Sequence, residues 1–100
     1  MSNTISLAIL GVTGRMGRAL LQALQGFDDL KLVSATASSN SEWLGKNVAA
    51  LGAVRGGEVV ISSDVNAAVR DANVVVDFTL PHVTASNLAA CVAAKASLVI

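Results

Sequence analysis

Aromatic residues are scarce: two phenylalanines, one tryptophan and no tyrosine, in a chain that is 53% apolar. The apolar content is therefore mostly Ala, Val, Leu and Ile, the usual filling of a parallel sheet held between helices. A single cysteine, Cys91, excludes an internal disulfide and a multi-cysteine metal site. A single histidine, His82, leaves zinc-type ligation unsupported and gives no Ser/His/Asp set to assemble. Seven basic residues balance seven acidic ones, so the chain lacks the electrostatic footprint of a nucleic-acid binder and has no basic run for an anionic membrane. The N-terminus lacks the basic-then-apolar design of a signal peptide. No apolar run approaches the ~20 residues of a membrane span; the longest, around Ala89 to Ala94, is Ala-rich and stops at Lys95. These absences predict a soluble, cytoplasmic protein that works on a small molecule, without nucleic acid, membrane or metal.

What is present is one domain's worth of chain. At 100 residues it buries about two thirds of its unfolded surface, enough for one core and not for a second catalytic lobe. Ile5 to Leu10 is a short apolar run ended by Gly11 and reads as a strand. Met16, Leu20, Leu21 and Leu24 follow at helical spacing over Gly14 to Gln25, with Gly26 as a stop. Leu30 to Thr36 returns to strand character and completes a β-α-β unit. A serine-rich loop from Ala37 precedes a short helix expected over Glu42 to Leu51, and Arg55-Gly56-Gly57 is a turn. Glu58 to Ile61 is the third predicted strand, and Ser63 or Asp64 caps a helix running to Arg70. Asn73 to Phe78 is the fourth strand, its three consecutive valines marking burial on both faces. Pro81 suits a helix start, a helix runs from His82 to Ala94, and a fifth strand covers Ser97 to Ile100. Alternating strands and helices with right-handed crossovers give an α/β fold, a Rossmann-like doubly wound parallel sheet over residues 1–100. Because the sequence stops inside a strand, the expectation is a domain truncated before a further C-terminal substrate and tetramerisation domain.

Chemistry is written in Gly11-Val12-Thr13-Gly14-Arg15-Met16-Gly17. Gly11 lets the chain turn as it leaves the strand, Gly14 lets a pyrophosphate approach the backbone, and Gly17 lets the helix lie close to the sheet. Free N–H groups and the positive end of the helix dipole then face the phosphates. The spacing is G-x-x-G-x-x-G rather than G-x-G-x-x-G, but its position between a strand and a helix strengthens the reading. The predicted cofactor-binding residues here are Gly11, Thr13, Gly14, Arg15, Met16 and Gly17. The acidic residue that commonly follows the second strand is absent, and Ala37, Ser38, Ser39 and Asn40 occupy those positions. Small polar residues such as Ser38 bond a phosphate or a hydroxyl and repel neither. Arg15 supplies positive charge, and Lys46 is a second candidate. The sequence permits NADPH and does not forbid NADH.

Asp77-Phe78-Thr79-Leu80-Pro81 ends the fourth strand. That strand lies beside the first, where the strand order reverses, and ligands bind at such a switch point. Phe78 offers an apolar wall and Thr79 a hydroxyl or a backbone N–H. Asp77 either touches a ribose or bonds backbone at the strand end.

With both segments in view, the chain resembles the 4-hydroxy-tetrahydrodipicolinate reductase (dihydrodipicolinate reductase) family of bacterial lysine and diaminopimelate biosynthesis. The resemblance is carried by Gly14-Arg15-Met16-Gly17-Arg18 and Val76-Asp77-Phe78-Thr79-x-Pro81, and it covers the N-terminal half of a family member. It implies reduction of the dehydrated, cyclic product of aspartate semialdehyde and pyruvate by NADH or NADPH, in a homotetramer. It implies that Gly11, Gly14, Arg15, Met16 and Gly17 hold the pyrophosphate and adenosine side, and that Phe78 and Thr79 border the nicotinamide ribose. Ala37 stands where many relatives carry an acid. The family's Gly-Thr-Thr-Gly cofactor loop, catalytic His/Lys motif and Ser-Gly-Thr segment would lie beyond Ile100, so no residue here is assigned a catalytic role. Two other functions explain the glycine turn: a different Rossmann reductase of homoserine or aspartate-semialdehyde type, and an NAD(H)-sensing module of a regulator. Among weaker candidates, His82 reads as a surface residue, Cys91 as a small buried hydrophobe, and Trp43 as packing against the sheet edge rather than stacking on adenine.

Overall fold

The computed structural model describes residues 5–27, 29–52, 58–70, 72–79, 87, 89–93 and 97–99. Five parallel strands are described, β1 (Ile5–Leu10), β2 (Leu30–Thr36), β3 (Ile61–Ser62), β4 (Val74–Asp77) and β5 (Ser97–Val99). They lie in the order β3-β2-β1-β4-β5, the doubly wound arrangement that the alternation of elements predicts. Helices α1 (Arg15–Leu24) and α2 (Val65–Arg70) and the helical residues 87 and 89–93 cover the sheet. No described helix is long and apolar enough to cross a membrane.

β1 is the central strand, and its sequence shows why. Leu7 to Leu10 are all buried, and successive side chains alternate between two cores. Leu7 and Ile9 join Leu21 and Leu24 of α1 on one face. Ala8 and Leu10 join Ala68 and Val69 of α2, with Ala90 and Cys91 of the last helical segment, on the other. β4 does the same: Val75 is buried on the α2 side, while Val74 and Val76 pack on the α1 side. In β2 the register against β1 shifts between Leu7 and Ala8, which pair with Leu32 and Ser34. This bulge resets the alternation, so that Leu32 and Ala35, three positions apart, both enter the α1-side core. On the opposite face Ser34 Oγ donates to the Ala68 carbonyl of α2 at 2.5 Å.

Between residues 42 and 61 the structure departs from the sequence expectation. Glu42 to Lys46 form turns, and a 3₁₀ helix covers only Val48–Leu51. Residues 45–48 instead run antiparallel to residues 59–61: Gly45 N–H donates to the Ile61 carbonyl (2.9 Å), Ile61 N–H to Lys46 (2.8 Å) and Val48 N–H to Val59 (2.9 Å). With those amides engaged across the chain, a helix cannot start before Val48. The same pairing holds Val60 in an antiparallel bridge with Asn47. The parallel third strand is thereby confined to Ile61–Ser62 rather than Glu58 to Ile61. Asp64, not Ser63, caps α2, its Oδ1 accepting from Ala67 N–H at 3.1 Å. The expected turn at Arg55-Gly56-Gly57 and the residues Pro81 and His82 lie outside the described residues.

Candidate functional site

Three strand ends converge on one crevice. β1 hands over to the glycine turn, β2 to Ala37 and Ser38, and β4 to Phe78 and Thr79. Gly11 N–H and Val12 N–H both donate to the Thr36 carbonyl (3.0 and 2.9 Å), and Phe78 N–H donates to the Leu10 carbonyl (2.9 Å). The three ends are thus stitched together by backbone alone. The crevice they frame is a cavity of about 600 Å³, at the carboxyl ends of the strands where the strand order reverses.

The three glycines of the turn differ in what the fold asks of them. Gly11 has φ +78°, and an added Cβ would stand 3.1 Å from the Phe78 carbonyl group. Both the conformation and the approach of β4 require glycine there. Gly17 is buried under the turn, where a Cβ would lie 2.5 Å from the Gly11 carbonyl oxygen and 2.7 Å from Val12 Cα. Gly14 is exposed at the N-cap of α1, with φ −75° and ψ 171°, and the nearest atom to its Cβ would be 3.6 Å away. Nothing in the protein's own packing excludes a side chain at Gly14. Gly14 itself lines the cavity, at the end of α1 where the first-turn N–H groups have no intrahelical partner.

Gly11, Thr13, Gly14, Ser38, Phe78 and Thr79 all line the cavity. Gly17 lies beneath it, and Arg15 and Met16 are exposed on the first turn of α1 outside the lining. Ser39, named with Ser38 at the end of β2, also contributes to the wall, as do Ser63, expected only as a helix cap, and Asn66 and Asn87, which sequence reasoning did not single out. None of the described lining residues carries an ionisable side chain. The described lining therefore offers hydroxyls, amides and backbone N–H groups to an anion, and among those residues no carboxylate that would repel one. Among the described residues no group of His, Cys, Asp and Glu is placed to hold a metal ion.

Asp77 lies behind the β4 wall, buried at 4% exposure. Its Oδ1 accepts from Thr79 N–H (2.8 Å) and from the Thr79 hydroxyl, and its Oδ2 accepts from Asn87 Nδ2 (3.0 Å). Asn87 Nδ2 also donates to Thr79 Oγ1 at 2.9 Å. Of the two roles open to Asp77, bonding at the strand end is the one observed. Thr79 N–H, one of the two donors expected to face a ligand, is engaged by Asp77. Asn87 is legible only in hindsight, as a polar residue on the apolar side of the last helix.

Trp43 packs half-buried against the α1-side core and is not part of the cavity lining. Arg18 and Lys46 both lie 5.2 Å from the centre of its ring. Arg18 Nε also donates to the Thr13 carbonyl at 2.9 Å, so it links the glycine turn to the loop after β2. Lys46 is engaged on the indole rather than lining the cavity. Cys91 is buried at 1% exposure; burial pushes its thiol up from its ordinary value, and the Asp77 charge adds to the effect. It is a packing residue, as its apolar neighbours predict.

Comparison with known proteins places this geometry in context. The family model described as the N-terminus of dihydrodipicolinate reductase matches residues 5–100. The 4-hydroxy-tetrahydrodipicolinate reductase of Alkalilimnicola ehrlichii is 36% identical over 97 residues, which is 97% of this chain and 36% of that protein. The enzyme of the same name from Thiobacillus denitrificans is 42% identical over 89 residues, 88% of this chain and 33% of that protein. The chain thus spans 36% and 33% of the length of these curated relatives. Among solved structures, the dipicolinate-bound dihydrodipicolinate reductase of Paenisporosarcina sp. TG-14 superposes with a TM-score of 0.73 at 18% identity, covering 95% of this chain and 36% of that one. Aspartate semialdehyde dehydrogenase with NADP from Candida albicans superposes with a TM-score of 0.76 at 17% identity, over 95% of this chain and 28% of that one. At such identities the likeness is one of fold.

Proposed function

Because the chain belongs to the family of dihydrodipicolinate reductase N-terminal domains, we propose that it forms the cofactor-binding part of a reductase that converts 4-hydroxy-tetrahydrodipicolinate to tetrahydrodipicolinate with NADPH or NADH, in the cytoplasm and within a homotetramer. The observation that carries this reading is Gly14, a glycine that the fold does not require and that a ligand in the cavity would. Bound there, a reduced nicotinamide cofactor supplies the hydride. The chain's own residues bind and orient it. Gly11, Thr13 and Gly14 present backbone to the pyrophosphate, at the positive end of α1. Arg15 and Met16 flank that side from the first turn, and Gly17 lets the helix approach. Ser38 borders the adenosine ribose, where the absence of a carboxylate among the described lining residues leaves a 2′-phosphate unopposed. Phe78 and Thr79 border the nicotinamide ribose.

The described cavity holds no ionisable side chain. Proton delivery and the near-attack placement of the substrate therefore fall to residues outside the described lining. Calorimetric titration of the chain with NADPH, and separately with NADH, tests the reading. Binding of either by the wild type and its loss in Gly14→Ala support the reading. A folded chain that binds neither overturns it.

A further inference from the structure

We propose that the Thr79 hydroxyl reads the hydrogen-bond polarity of whatever lies beside β4, accepting a donor and rejecting a group that has none. The inference rests on the cofactor reading above and deepens it. It follows from counting protons. Thr79 Oγ1 has one hydrogen and two lone pairs. The hydrogen goes to Asp77 Oδ1, a carboxylate oxygen that can only accept. One lone pair takes the Asn87 Nδ2 hydrogen at 2.9 Å. The Asn87 amide cannot be turned over, because its oxygen would then face Asp77 Oδ2 at 3.0 Å, acceptor against acceptor. Thr79 N–H, the remaining donor at this position, is held by Asp77 Oδ1 at 2.8 Å. What Thr79 has left is one lone pair, on a residue that lines the cavity.

All three residues are buried or half-buried, so the arrangement is fixed before any ligand arrives. Asp77 and Asn87 are positioning residues that set the direction of the Thr79 hydroxyl. On the nicotinamide half of a dinucleotide two kinds of neutral donor satisfy such a lone pair: the carboxamide NH₂ and a hydroxyl of the nicotinamide ribose.

The test is calorimetry on the chain with four ligands: NAD⁺, its 3-acetylpyridine analogue, which replaces the carboxamide NH₂ by CH₃ without changing charge, NAD⁺ deoxygenated on the nicotinamide ribose, and ADP. Wild type is expected to bind one of the two analogues about threefold to tenfold more weakly than NAD⁺, the worth of one neutral hydrogen bond; which one identifies the donor. Thr79→Val is expected to erase that difference, Thr79→Ser to keep it, and neither to change the affinity for ADP, which lacks both the nicotinamide and its ribose. Wild type binding both analogues as tightly as NAD⁺, or binding ADP but NAD⁺ no tighter, overturns the proposal. So does discrimination that survives in Thr79→Val or disappears in Thr79→Ser. If Thr79→Val does not fold, the wild-type and Thr79→Ser titrations still decide. Failure of the folded wild type to bind any of the four ligands is a different signature: it removes the cofactor reading itself.

Discussion

At Gly17 an added Cβ would meet three backbone atoms inside 3.0 Å, and backbone cannot move aside as a side chain can. Overpacking of this kind costs about 1–3 kcal/mol, and Gly17→Ala is expected near the top of that range, read as a lower urea midpoint. Gly14→Ala is expected to behave differently. Alanine is a poorer N-cap than glycine by up to about 1 kcal/mol, while its stiffer unfolded chain offsets about 0.4–1 kcal/mol. The two nearly cancel, so the urea midpoint should hardly change while NADPH binding is lost. A Gly14→Ala chain that binds NADPH as the wild type does would show that the cavity is not the phosphate site. Cys91 carries a separate expectation. Its thiol is held above its ordinary 9.0 by burial first and by Asp77 second. The unfolded chain loses that proton near the ordinary value and the folded chain keeps it. This contribution is therefore complete below that pH, and stability falls as pH rises through the folded thiol's higher value. Urea unfolding at about pH 7.5 and about pH 10 should show an alkaline loss in the wild type that is smaller in Cys91→Ala, and Cys91 should resist thiol reagents until the chain unfolds.

Among the elements, the unit β1-α1-β2 was legible because its signals are local: an apolar run, a turn glycine, and apolar residues at helical spacing. The stretch from Glu42 to Ile61 was not, because its backbone bonds join Gly45, Lys46 and Val48 to Val59 and Ile61, and no window of neighbouring residues contains that pairing. The cavity wall divides in the same way. Gly11, Gly14, Phe78 and Thr79 sit at strand ends where the fold rule places a ligand, whereas Asn87 reaches Asp77 only through the packing of a helix on the sheet. Trp43 shows what such long-range packing adds. Two cations at 5.2 Å from one indole, one of them bonded to the Thr13 carbonyl, tie the loop after β2 to the glycine turn. Exposed cation-aromatic pairs contribute about 0.5–1 kcal/mol. A double-mutant cycle of Arg18→Ala and Trp43→Ala, followed by circular dichroism in urea, should return a coupling of that size. A coupling of zero would mean that the two side chains are merely adjacent.

For the molecule as a whole, sheet order and crevice chemistry combine into a linkage argument. The ends of β1, β2 and β4 meet only in the folded chain, so a ligand held by all three binds the native state and not the unfolded one. At a free concentration about a hundred times its Kd, such a ligand stabilises by about 2.7 kcal/mol. In a domain of this size that raises the melting temperature by about 10 °C or more. Melting the chain with and without NADPH should show this rise for the wild type and none for Gly14→Ala, whose melting temperature without ligand should match the wild type's. A rise that persists in Gly14→Ala would place the nucleotide somewhere other than at the N-terminus of α1. The chemistry of the described lining also bears on turnover. With no ionisable side chain among them, the described lining residues give a bound cofactor no ionisable proton donor to follow hydride transfer. The chain alone is therefore expected to bind NADPH without oxidising it when 4-hydroxy-tetrahydrodipicolinate is added. Substrate-dependent loss of NADPH absorbance with the purified chain would show that a proton donor lies within these residues after all.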